Sequence, residues 1–177
     1  HIGGCIVNIK NPPSIFKFLG IHVAKFFNRI GQKLLSGRDE TKTLGNGREN
    51  IRDEGLDLDE GEIDNYKTLH APASSIIANK NFGISDEEIL SSIRWHTIGK
   101  IDMSVFDKII FLADKIEPNT RNKNISDSLW SLIEEENGLD KALLECYKYT
   151  IKSLVDRNLK ICSKTIEIYN SLQRNQV

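Results

Sequence analysis

The sequence predicts an all-α protein, a compact bundle of about six or seven helices. Apolar residues recur at helical spacing from Tyr66 onward, and recognisable caps and stops punctuate those stretches. No β-hairpin signal and no internal repeat accompanies them. A chain of 177 residues with 39% apolar and 28% charged residues has room for one globular core, which excludes fibrous, collagen-like or mostly disordered classes.

The first helix is expected to start near Ala71, with Pro72 at a tolerated early position, Ile76 and Ile77 on its apolar side and Gly83 as its stop. Ser85-Asp86-Glu87-Glu88 reads as a capping box leading into Ile89, Leu90 and Ile93. Ser104 caps the next helix, in which Val105, Phe106, Ile109, Ile110, Leu112, Ala113 and Ile116 cover most of the circumference before Pro118 ends it. So apolar a segment must lie at the centre of the bundle. Further helices are expected from Ser126 to Glu135, Leu139 to Arg157 and Ser163 to Arg174.

The N-terminal third reads differently. Residues 1–35 carry five basic residues and no acidic one, residues 36–66 hold ten acids against four bases, and nine of the twelve glycines precede residue 62. Helical periodicity is weak there, with Pro12, Pro13, Gly45 and Gly47 interrupting it. Residues 1–55 are accordingly expected to be a degenerate or out-of-frame region, and 56–177 a helical domain.

Net charge is −1, which gives no global drive toward nucleic acid or an anionic membrane. Basic residues from Leu56 onward alternate with acids and lack an aromatic stacking run, so no nucleic-acid partner is expected. No apolar run approaches the roughly 18 residues that span a bilayer, and no secretory signal is evident. Cys5, Cys146 and Cys162 fit neither a CxxC spacing nor a disulfide framework. The expectation is a soluble, cytoplasmic protein without a membrane partner.

Only four histidines are present: His1, His22, His70 and His96. Taken singly, each reads more readily as a helix cap or a satisfied polar residue than as a ligand. Position changes the balance for two of them. His70 precedes one helix, His96 closes the next, and Asp114 is a carboxylate within the most apolar helix of the chain. Two neutral imidazoles and a carboxylate meeting at one point would suit a divalent metal such as iron, manganese, cobalt or zinc. Such a metal lowers the pKa of bound water and generates a nucleophile. Thr97, Gly99 and Lys100 directly after His96, and Asn119 and Arg121 after Pro118, supply a hydroxyl, a permissive backbone, an amide and two cations suited to phosphate. Lys100 or Arg121 considered alone reads as solvated surface charge.

Three linked motifs sharpen this reading: Leu69-His70-Ala71-Pro72, Arg94-Trp95-His96-Thr97-Ile98-Gly99-Lys100, and the run from Asp107 to Leu112-Ala113-Asp114-Lys115-Ile116-Glu117-Pro118. Together they resemble the YqeK-like branch of the HD-domain metallohydrolases, from about Leu56 to the C-terminus. The resemblance implies an HD-type helical fold, a cytosolic bacterial setting, and symmetrical cleavage of diadenosine tetraphosphate to two ADP at a metal centre usually described as iron. It implies His70, His96 and Asp114 as metal ligands and Lys100 with Thr97 as groups stabilising the phosphate chain. Gly99, Asn119 and Arg121 become substrate-binding positions, although Thr120 intervenes before Arg121 and Ile98 replaces a second Thr. Members are often dimeric, so a homodimer is implied.

The family's adjacent His-Asp pair is missing. Gly20-Ile21-His22-Val23-Ala24-Lys25 is its nearest echo, which makes His22 a weak further ligand with Val23 where the Asp would stand. A second reading follows: a catalytically damaged HD-fold protein retaining at most weak nucleotide or metal binding. A third is an HD-type phosphohydrolase of a mononucleotide or cyclic dinucleotide, separated from the first by its products.

Overall fold

The structure is a computed structural model that describes residues 58, 62–63, 68–116 and 123–174. Residues 1–55, and with them His1, Cys5 and His22, lie outside the described residues, as do Pro118, Asn119 and Arg121. Among the described residues the elements are six helices: α1 (His70–Phe82), α2 (Glu87–Trp95), α3 (Val105–Lys115), α4 (Lys123–Ile133), α5 (Gly138–Asp156) and α6 (Ser163–Arg174). No strand occurs among the described residues. The all-α expectation therefore holds.

Local chemistry sets the helix ends. Gly83 adopts φ 65°, and the chain closes α1 with backbone bonds back to Ala78 and Asn79. At the start of α2 the cap is Asp86 rather than Ser85, its carboxylate accepting from the Ile89 amide at 3.0 Å. Ser104 caps α3 as expected and forms a reciprocal box with Asp107. α4 begins at Lys123, three residues before the expected Ser126. Ser126 is no cap, because its hydroxyl donates to the Ile116 carbonyl at 2.7 Å and ties α4 to the end of α3.

Successive helices pack α1 on α2 and α2 on α3, while α5 receives α3, α4 and α6. The core forms where these faces meet. Ile109, Phe111, Leu112 and Ala113 of α3, with its C-cap Ile116, pack with Leu129 and Ile133, with Ala142, Leu143, Cys146 and Tyr147, and with Ile168. Burying each large aliphatic side chain contributes roughly 1.5–3 kcal/mol, so α3 is the principal hydrophobic element. Phe111 and Tyr147 stack at 5.5 Å with planes 9° apart, joining α3 to α5. This packing holds Asp114, itself buried between the core residues Ala113 and Ile116, where Lys115 bonds the Thr97 carbonyl just after α2.

Candidate metal centre

His70 opens α1 and His96 follows the last turn of α2, so the α1–α2 pair brings together two residues 26 apart in sequence. Their Nε2 atoms lie 3.0 Å apart, with ring centroids at 4.9 Å and planes at 63°. His96 Nδ1 is 2.7 Å from the Ile93 carbonyl, which can only accept, so Nδ1 carries the hydrogen. Burial, then the adjacent His70, lowers the His96 pKa from 6.5 to about 4, while the Asp114 carboxylate opposes the shift. His96 is therefore neutral near pH 7, with its Nε2 lone pair turned toward His70. Thr97 Oγ1 stands 3.1 Å from the same His70 Nε2, so that one nitrogen faces both His96 and the Thr97 hydroxyl.

These features fit a metal-ligating pair. A ring nitrogen fixed by a backbone carbonyl, with the opposite nitrogen left as a lone pair, is the arrangement that orients histidine ligands. Asp114 is buried and close enough to influence His96 electrostatically, but its Oδ2 accepts from the Lys115 ammonium at 3.1 Å. Among the described residues no group of three His, Cys, Asp or Glu side chains is arranged to hold a metal ion. Of the expected trio, then, two imidazoles meet and the carboxylate stands nearby, engaged by a lysine.

The turn after His96 is built for shape. The Gly99 amide donates to the Trp95 carbonyl at 2.8 Å, and Gly99 adopts φ 80°. A Cβ there would run into the Tyr147 hydroxyl and Met103 Cε. Tyr147 in turn donates to the Ile98 carbonyl at 2.7 Å, and burial pushes its phenol well above the usual range. Lys100 turns away from the imidazoles. Its ammonium donates to Ser91 Oγ at 2.6 Å and pairs with Asp107 at 2.9 Å, beside a cavity of about 290 Å³ also lined by Met103, Lys108, Asp140 and Leu143.

Two features escaped the sequence reading. Lys115 bridges Asp114 and the Thr97 carbonyl, the latter at 3.2 Å. Arg94 forms a buried two-point pair with Glu62, at 2.6 and 2.8 Å, and lies 4.1 Å above the Trp95 ring. Arg94 sat inside a motif that already signalled the site, and a buried partner for it was the available clue.

An all-helical domain with paired histidines at a helix junction and a buried aspartate beside them is the architecture of HD-type hydrolases. Comparison with known proteins places the chain there. A crystal structure from Clostridium acetobutylicum, described as a "predicted HD superfamily hydrolase involved in NAD metabolism", superposes with a TM-score of 0.69 at 32% identity, covering 96% of this chain and 92% of that one. The chain belongs to the HD superfamily of hydrolases. It is 34% identical over 102 residues to the symmetrical bis(5'-nucleosyl)-tetraphosphatase of Staphylococcus aureus, covering 58% of this chain and 52% of that protein. The protein of the same description from Halalkalibacterium halodurans is 37% identical over 108 residues, covering 61% and 56%. The chain thus spans about half the length of the curated relatives it matches. No family model matches it.

Proposed function

We propose that the chain is a metal-dependent phosphohydrolase that cleaves diadenosine tetraphosphate symmetrically. Water adds to one of the two central phosphorus atoms, the bridging oxygen leaves with the other, and two ADP result. The observation that carries this reading is the His70–His96 pair at 3.0 Å, with the His96 tautomer fixed by the Ile93 carbonyl, in a chain similar to proteins named for that reaction. His70, His96 and Asp114 would hold the metal, with His22 as a weaker addition. Iron is the first choice, and manganese, cobalt and zinc suit the same donors. A metal held there would supply Lewis acidity toward phosphoryl oxygen and activate water.

The chain's own residues then do the positioning. Thr97 orients His70 through its hydroxyl, and Gly99 gives the turn its shape. Asn119 and Arg121 follow α3 and are assigned to the phosphates. Lys100, the cation that the sequence motif offers to phosphate, is tied to Asp107 and Ser91 and braces α2 against α3. No described helix is long and apolar enough to cross a membrane.

The test is anaerobic turnover with ferrous iron or manganese, with products separated by chromatography. ADP as sole product, lost in His96→Ala, supports the reading. ATP plus AMP would reassign the cut, and undiminished turnover in His96→Ala would remove the histidine pair from the chemistry.

A further inference from the structure

We propose that Lys115 is the phosphate-gripping cation of this site, an ammonium placed between the Thr97 carbonyl and Asp114 to receive a polyphosphate. The inference rests on the reading that the site handles polyphosphates. A lysine at a helix C-terminus ordinarily answers the helix dipole. Lys115 instead reaches across to the neighbouring turn and bonds the Thr97 carbonyl at 3.2 Å and Asp114 Oδ2 at 3.1 Å, with the Phe111 ring centroid 5.0 Å away. It therefore joins the two segments that carry His96 and Asp114.

Two facts give the ammonium a task beyond bracing. An ammonium has three donors, and the two bonds to Thr97 and Asp114 leave capacity for another acceptor. Its side chain is 16% exposed, so a ligand can reach it without unfolding the site. A polyanion bound at Lys115 would offset the positive charge that a divalent metal held by the imidazoles would add nearby, so cation and polyanion should bind cooperatively. Lys100 is likewise held by two acceptors, Ser91 and a buried Asp107, but it joins α2 to α3 rather than the two segments that carry His96 and Asp114.

The test uses the full chain and calorimetric titration with ADP, in EDTA and again with manganese, with adenosine as the phosphate-free control. Lys115→Met should weaken ADP binding about tenfold, the scale of one charge-assisted bond. Lys115→Arg should stay within about threefold, because it keeps the charge. Adenosine binding should be the same in all three, and exposed Lys152→Met should match the wild type. Lys115→Gln replaces the Met variant if thermal melting shows that one unfolded.

Equal ADP affinity in wild type and Lys115→Met, or absence of ADP binding by the wild type, overturns the proposal. So does a variant that loses manganese affinity while keeping ADP affinity, since that is the signature of bracing alone. If ADP binding depends on Lys115 but diadenosine tetraphosphate is not cleaved, the phosphate site stands and the tetraphosphatase reading falls. Cleavage with Lys115-independent ADP binding gives the converse.

Discussion

Lys100 and Asp107 form a 2.9 Å ion pair in which the carboxylate is almost wholly buried, at 2% side-chain exposure. The cation that the sequence motif offers to phosphate thus spends its charge at the N-terminus of α3. The same carboxylate accepts from Ser91 Oγ and from the Ser104 amide, each at 3.0 Å. Lys100 is consequently part of the joint between α2 and α3.

Replacing Lys100 with Met should then read first as lost stability. Asp107 would keep its hydroxyl and amide donors but lose its counter-charge inside the protein, a change that costs about 1–3 kcal/mol. Urea denaturation measures it. A Lys100→Met chain as stable as wild type, with ADP affinity strongly reduced, would return Lys100 to the phosphate role instead.

The turn carrying His96 depends on two side chains that approach Gly99. Gly99→Ala combines a strained φ of 80° with collision against Tyr147 and Met103. It should cost about 1–3 kcal/mol. Tyr147→Phe alone loses the bond to the Ile98 carbonyl, worth about 1 kcal/mol. Removing the hydroxyl relieves one of the two collisions that Gly99→Ala creates, leaving the flexible Met103 end to give way, so the double variant should be less destabilised than the sum. A double-mutant cycle by denaturation gives that coupling directly. Strict additivity would mean that the hydroxyl is not the obstacle.

Acid should weaken the metal-free chain through His96. The imidazole titrates at about 4 when folded against 6.5 as its ordinary value, chiefly because it is buried. Between those two values the unfolded chain holds a proton that the folded chain lacks. Stability therefore falls as pH drops through that window, by at most about 1.4 kcal/mol per pH unit, and His96 contributes no slope above it. Urea midpoints at pH 7 and 5 for wild type and His96→Gln check this. Equal pH dependence in the two would show that His96 is not the group responsible.

Where the structure matches the sequence reading, the signals were local. Gly83, Ser104 and the apolar run through α3 each act within a turn or two, and α6 spans Ser163 to Arg174 as its periodicity predicts. Where it does not, the cause is a partner distant in sequence. Ser126 resembles a cap until the Ile116 carbonyl, ten residues back, is seen to take its hydrogen. The Lys115–Thr97, Glu62–Arg94 and Tyr147–Ile98 bonds span 18, 32 and 49 residues. No helical period reports contacts at those separations. His70 and His96 were legible as a pair only because both sit at helix ends inside motifs. Their 3.0 Å approach, and the lysine holding Asp114, needed the fold.

Arg94 offers the most severe test of how the site is held. Its two-point pair with Glu62 leaves the side chains 7% and 1% exposed, and its guanidinium covers one side of Trp95, with the Lys164 ammonium 5.1 Å from the same ring. Arg94→Met removes one member of a buried pair and takes from Glu62 its two-point counter-charge, a loss of about 3–5 kcal/mol. Adding Glu62→Leu removes that buried charge, so the double variant should recover much of the loss even though it contains more changes. Because Arg94 and His96 share the last turns of α2, the single variant should also disturb the imidazole pair, weakening manganese binding and changing Trp95 fluorescence. In the double variant manganese affinity should rise back toward wild type together with stability. Recovery of stability without recovery of metal affinity would mean that the ion pair itself, rather than a relaxed helix end, sets the position of His96.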